Sequence, residues 1–324
     1  MKRLVIVLLA STIVTGCRKD VPEPIVQRSY YSYYGPEIAQ SDFEAQGKTG
    51  DVVEKTSSGV EVRRAFANGV LHGTSSWSYP NTHVVYQFEE YENDRLVCMG
   101  MNAENGVLQY EEQYGPQETK VVRAWFLDGS PRMSEEYRGG KLVRAQYYTN
   151  DGDLESFVDR GNGSKITRAG NGKLLNRDQI VGGLSVVREE FYPNSMLYQV
   201  YALRDGVKNG FCKVYLESGQ PNRLEMWSFG LLDGTQTLYE NGLEIAQVPY
   251  CQGVKEGIER RFEPGTDQVV QEISWHQDMR HGATKTRVNG MEVVEWYWRD
   301  NKVSPEQYQA RLSVQKDARA ALVM

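Results

Sequence analysis

The residue types that build catalytic and metal centres are scarce in this chain, which has four histidines and four cysteines in 324 residues. Proline is also sparse, at 11. The longest apolar run, Leu4 to Val14, falls well short of the roughly 20 residues needed to span a bilayer. A polytopic helical membrane protein is therefore excluded. Basic residues are outnumbered, 37 Lys and Arg against 43 Asp and Glu, for a net charge of −6. So acidic a chain lacks the basic footprint that general nucleic-acid binding requires. Turn and strand residues are plentiful, with 31 glycines and 20 tyrosines.

The N-terminus reads Met1-Lys-Arg3, then the apolar run, then Val14-Thr-Gly-Cys17. A basic start, a short apolar stretch and small residues at a cut site describe a secretory signal over residues 1–16. The last four residues resemble the lipobox of bacterial lipoproteins. That resemblance implies acylation of Cys17, membrane anchoring through it, and a cell-envelope location. Arg18 in place of aspartate favours the outer membrane where the host has two membranes. Several buried acyl chains hold far better than one. Cys98, Cys212 and Cys251 remain, an odd number that excludes a complete disulfide framework. Their strand-like flanks favour buried free thiols, with a Cys212–Cys251 bridge left open.

Residues 17–50 are expected to form the lipidated cysteine and a flexible tether, since Pro22, Pro24, Gly35 and Pro36 interrupt any periodicity. Tyr30, Tyr31, Tyr33 and Tyr34 cluster within it, either as an aromatic contact patch or, preferred here, as a first strand.

Internal periodicity dominates the rest. Gly206-Val-Lys-Asn-Gly210, Gly230-Leu-Leu-Asp-Gly234, Gly253-Val-Lys-Glu-Gly257 and Asp278-Met-Arg-His-Gly282 recur at steps of 24, 23 and 25. A second set of turns, Ser218-Gly219, Asn241-Gly242, Pro264-Gly265 and Asn289-Gly290, keeps nearly the same step. The segments between alternate as half-buried strands do. Asn-Gly between two such runs is a favoured hairpin turn because both positions need positive φ. Trp227, Tyr250 and Trp298 fall eight residues after a turn glycine and Trp275 falls ten after, so equal parity predicts that all four project from one sheet face. Those four form the candidate binding face, with shared core as the competing role. The first half repeats more loosely, and residues 160–184, rich in glycine, are expected to hold a longer excursion.

An aromatic before a Pro-Asn or Asn-Gly turn, a strand, and then Gly-x-x-x-Gly resembles bacterial MORN-type repeats, in the variant found in YwqK-type antitoxins. The resemblance spans roughly residues 60–303, with Asp278 and Ser195 departing from expected glycines. It implies a repeat array that binds a protein, in an antitoxin or immunity role. Such units bury apolar surface only against their neighbours, so the array needs caps. Ser304-Pro305-Glu306 marks a helix start, and residues 304–324 are expected to form an amphipathic helix covering the last strand edge.

Chemistry is hard to find. His72 and His281 sit at matching turn positions and read as exposed. None of the four histidines has metal-ligand neighbours at zinc spacing. No Gly-x-Ser-x-Gly elbow occurs, and Gly170-Asn-Gly172-Lys173 lacks the hydroxyl residue and helix of a phosphate loop. The adjacent pairs Glu89-Glu90, Glu111-Glu112, Glu135-Glu136 and Glu189-Glu190 place their members on opposite faces, which reads as a solvated repeat feature. No cofactor and no metal are expected.

The resulting expectation is an all-β chain, an antiparallel meander of repeated β-hairpins of about 23–25 residues per unit, occupying residues 51–303 and closed by a short C-terminal capping helix. Function is expected to be non-catalytic, a protein-binding or scaffolding surface at the envelope. The alternative is a glycan- or lipid-headgroup-binding module.

Overall fold

The computed structural model of the protein describes residues 23–33, 35–169 and 172–321, with side chains through residue 315. The leader, Cys17, Tyr34, Gly170 and Asn171 lie outside the described residues. The chain is all-β, an antiparallel meander of hairpins with a C-terminal helix at Pro305–Ala321. It forms two compact units, residues 1–174 with 180–184, and residues 175–179 with 185–324.

In the first unit the strands run from Ile25–Tyr31 and Gly50–Thr56 to Leu154–Asp159 and Asn162–Arg168, each pairing antiparallel with the next long strand. The second unit repeats the scheme from the strand Leu184–Phe191, which enters it at Ser185, to Asn301–Val303. Side chains alternate between a buried face and an exposed one, as the pleat requires. In the first unit Leu142, Ala145, Tyr147, Val158, Ile166 and Ile180 pack together. In the second, Tyr201, Cys212 and Val214 do so, with Tyr198, Leu203 and Trp227 against them.

Two kinds of turn explain the two sequence landmarks. In one, the first residue donates its N–H to the carbonyl four residues on and accepts from the N–H three residues on. Ala103, Phe126, Thr149, Ala169, Tyr192 and Leu216 all do this. Apart from the step of 20 between Thr149 and Ala169, they recur every 23 or 24 residues, so the first half is as regular as the second. Ser195 holds φ +67° in the glycine position of this turn and makes the same bonds.

The other turn stacks on its predecessor. The N–H groups of Gly230, Gly253, Asp278 and Asp300 donate to the carbonyls of Lys208, Leu232, Lys255 and Arg280. Asp278 takes φ +63°, a conformation that aspartate tolerates better than most residues, and its Oδ1 accepts the Lys255 N–H at 2.7 Å. Asp94 and Asp300 repeat this at Leu71 and Arg280. The two departures from the glycine pattern therefore keep the turn geometry.

Three expectations need correction. The tether is folded from Ile25 onward: Ile25–Tyr31 pairs with Gly50–Thr56, and the short helix Gln40–Ala45 buries Phe43 5.2 Å from the Tyr30 ring. Residues 160–184 hold no long excursion, because Asn162–Arg168 and Leu174–Val181 are ordinary strands separated by the recurring turn. The C-terminal helix rests on side chains of the last strands, Tyr308 lying between Trp296 and Trp298, rather than along a strand edge. Its start is as expected: Ser304 Oγ accepts the Gln307 N–H and Gln307 Oε1 accepts the Ser304 N–H, a reciprocal cap.

Asp278→Ala removes the acceptor but leaves the left-handed backbone, so it should cost about 1–2 kcal/mol in urea unfolding. Asp278→Gly relieves the backbone and should cost less; equal losses would contradict this assignment.

Candidate binding faces

The glycine that ends each stacked turn sits directly across from an aromatic ring. The pairs are Gly73 with Tyr91, Gly210 with Trp227, Gly234 with Tyr250, Gly257 with Trp275, and Gly282 with Tyr297. Trp227, Tyr250 and Trp275 therefore share one face, as their spacing predicts. Trp298 does not. The hairpin at Asn289-Gly290 pairs Val288 with Met291 and continues without a register shift, whereas the five-residue turn before Pro221 and the six-residue turn before Val269 are each accompanied by a shift. Counting eight from Gly290 therefore lands one residue past the equivalent ring, Tyr297, and puts Trp298 on the opposite face.

On the shared face the rings serve buried carboxylates. Trp227 Nε1 donates to Glu225 at 2.9 Å, and Trp275 Nε1 donates to Glu259 at 2.9 Å. Glu225 and Glu259 are 4% and 2% exposed. Tyr137 and Tyr147 donate to the buried Glu135, and the same bond reaches the partly exposed Glu190 from Tyr201 and Glu295 from Tyr297. Glu112 accepts from both Tyr110 and Tyr114.

Cations complete three of these sets. Lys165 reaches Glu135 at 2.8 Å, Arg223 reaches Glu225 at 2.6 Å, and Arg261 reaches Glu259 at 2.8 Å. Lys255 Nζ lies 4.4 Å above the Trp275 ring, and Lys208 lies 4.9 Å above Trp227. Such contacts are attractive because the ring face is electron-rich. Asp178, 1% exposed, is held in the same manner by Arg188 and Ser185. Tyr250 is half-buried, and burial together with the carboxylates of Asp278, Glu259 and Glu225 raises its phenol pKa.

The electrostatics follow from this packing. Burial alone would raise the Glu225 carboxyl, but Arg223, Trp227 and Gln236 hold it below its ordinary value. Burial is likewise overcome at Glu112 by Tyr110, Tyr114 and Lys120, and at Glu54 by Arg64 and Arg28. In the adjacent glutamate pairs the expected opposition of faces holds, but one member turns inward. Glu135 is buried while Glu136 faces Arg138 and Arg144. The signal in the sequence is Glu-x-aromatic, at Glu89-x-Tyr91, Glu112-x-Tyr114, Glu135-x-Tyr137, Glu225-x-Trp227 and Glu295-x-Tyr297. It was obscured because adjacent glutamates suggest solvent.

The opposite face differs between its middle and its end. At the end, Trp298 lies 4.5 Å from the His281 ring, Tyr308 packs on both, and Arg311 caps Trp298. His281 is thus turned inward with Nδ1 buried and unpartnered, not exposed; burial, then His276 and Arg299, lower its pKa. His276 Nδ1 meets Glu256 at 2.9 Å. In the middle, Phe211 stands directly across from Met226, at 37% and 42% exposure, and Ile258 is 45% exposed. Cys98 and Cys212 are buried free thiols with pKa pushed up to about 11 by burial, and Cys251 is free and exposed, so the Cys212–Cys251 bridge is not formed.

Among the described residues no group of three His, Cys, Asp or Glu side chains is placed to hold a metal, and no helix is long and apolar enough to cross a membrane. No protein-family model matches the chain, and no curated protein matches it.

Two outcomes follow. Trp227→Phe leaves the buried Glu225 short of one donor and should destabilise by about 1–3 kcal/mol in urea unfolding, with little change if the indole N–H is dispensable. Glu54, Glu112 and Glu225 have folded pKa values below their unfolded ones, so their stabilisation is complete above pH 4.5 and declines as pH falls through the lowered values. Unfolding free energy measured downward from pH 7 should therefore drop below about pH 4.5, and Glu225→Gln should flatten part of that drop.

Proposed function

We propose that this is a non-catalytic envelope lipoprotein whose repeat sheet is a protein-binding or scaffolding surface. The observation that carries this reading is the exposed apolar row on the second unit's outer face, where Phe211 and Met226 stand cross-strand with Ile258 on the same face. Apolar side chains held on a rigid sheet and left in water suit a partner that buries them. The aromatic face first expected to bind is supporting structure, since the Trp227 and Trp275 indoles already bond to carboxylates. This weighs against the glycan reading, which depended on free stacking rings.

The proposed anchor fits this role. Seven residues separate Cys17 from the first strand at Ile25 and can reach about 25 Å at full extension, so lipidation would hold the domain near the membrane surface. An antitoxin- or immunity-like role is one form of the same binding, supported by the repeat resemblance.

The test places a photocrosslinking residue at Met226, or at Gln236 on the buried face, in the full chain in its own envelope. One defined protein adduct from position 226, lost in Ile258→Asp, is the expected result. No protein adduct from position 226, or equal labelling from both positions, would overturn the proposal.

A further inference from the structure

The C-terminal end of the meander leaves a strand edge open. Met291–Trp298 pairs along its length with Met279–Val288, from Gly282 opposite Tyr297 to Val288 opposite Met291. On its other side only Trp296, Tyr297 and Trp298 are paired, with Val303, Lys302 and Asn301. The chain then enters the helix at Pro305, so among the described residues no strand covers Met291–Glu295 on that side.

The N-terminal edge is treated differently. Pro24 precedes the strand Ile25–Tyr31, a register shift falls between Ile25 and Gln27, and Glu37–Ile38 pairs with Tyr30 and Tyr31. Proline, bulges and short covering strands are standard means of blocking edge-to-edge pairing. The segment Met291–Glu295 has no proline and no register shift, and it exposes Met291, Val293 and Val294 at 69%, 49% and 43%.

The register says which backbone groups are free. Val288 and Met291 flank a two-residue turn and exchange hydrogen bonds, so Met291, Val293 and Glu295 direct their N–H and C=O groups inward. Glu292 and Val294 direct theirs outward. The second hairpin gives the same parity, since Trp298 and Asn301 flank the two-residue turn at Arg299 and Asp300. Four main-chain groups, two on Glu292 and two on Val294, are thus left for a partner strand.

We propose that this edge pairs with the same edge of a second copy of the chain, antiparallel about a two-fold axis at Val293. That register sets Glu292 against Val294 of the other copy in both halves and uses all four free groups. Val293 meets its own counterpart, and Met291 faces Glu295, so no like charges are opposed. An axis at Glu292 would set two carboxylates face to face, which is destabilising. An axis at Val294 would require Trp296, whose outward groups already serve Val303. The contact continues the ladder that Asn301–Val303 begins on the same edge. It is a small interface, so pairing strengthens where copies are concentrated on one surface. This inference goes beyond the proposed binding of a foreign protein and does not depend on it.

The test uses the full-length chain in lipid vesicles with Cys251→Ser, which removes the exposed thiol among the described cysteines. Val293→Cys places two thiols at a pair that is not hydrogen-bonded, with Cα atoms about 4.5 Å apart, within disulfide range. Mild oxidation should give a covalent dimer at least about tenfold above the Cys251→Ser parent and above Val294→Cys, whose counterpart is Glu292. Adding Val294→Pro, which removes an outward N–H, should abolish that dimer. The Val293→Cys and Val294→Cys contrast decides the matter even if the proline variant does not fold. Dimer yield no higher than the parent, equal yield from the two cysteines, or crosslinking to another protein in its place would overturn the proposal. An adduct from Met226 with no dimer at Val293 would sink this inference alone.

Discussion

A carboxylate turned into the sheet, met by an aromatic N–H or O–H and a cation, is the constraint on which the rest of the structure depends. Glu135, Glu225 and Glu259 are nearly inaccessible to water, and a carboxylate so placed is costly unless it is both paired and hydrogen-bonded. Each of them is met in both ways. The net gain over an apolar residue of equal size is small in such sites, because desolvation offsets much of the attraction. What the arrangement supplies is register. A slip of one residue would carry Glu135 or Glu259 to the opposite face and away from its donor on the neighbouring strand, Tyr147 or Trp275, while Glu225, which shares its strand with Trp227 and Arg223, would lose Gln236. In a meander of similar hairpins, where neighbouring segments could pair out of step, that penalty discriminates between alignments.

The same constraint divides the labour between the faces. Rings that bond buried carboxylates already have a structural task, which their spacing alone does not reveal. Phe211, Met226 and Ile258 lie where the pleat turns away from the polar ladder, so substituting them leaves that ladder intact. At the chain's end Tyr308 closes over Trp296, Trp298 and His281, so a single anchoring ring seats the helix.

Much of the fold was legible because the turns are local. Positive φ at the second turn set and the stacked Gly-x-x-x-Gly turns follow from glycine, asparagine and aspartate at fixed offsets, and Asp278 could stand in for glycine because its side chain accepts a backbone N–H. The face of Trp298 was not legible, because it depends on whether a bulge follows the turn, and counting from Gly290 cannot register its absence. The strand at Tyr30 and Tyr31 was legible from its tyrosines, but its start at Ile25 and the fold of the segment after it were masked by prolines that flank the strand rather than interrupt it, and Phe43 packs it down from outside the periodic pattern. The buried glutamates were missed because charge in a strand ordinarily means solvent; an offset of two to an aromatic marks Glu135 and Glu225, but nothing local marks Glu259, whose ring partner Trp275 lies on the next strand.

The central claim is that carboxylate and ring act as a pair. A double-mutant cycle on Glu259→Gln and Trp275→Phe, read by urea unfolding of the full chain, tests it most directly. The account predicts a coupling of about 1 kcal/mol or more between the two positions. Losses that simply add, to within about 0.3 kcal/mol, would show that the ring and the carboxylate are neighbours without being partners.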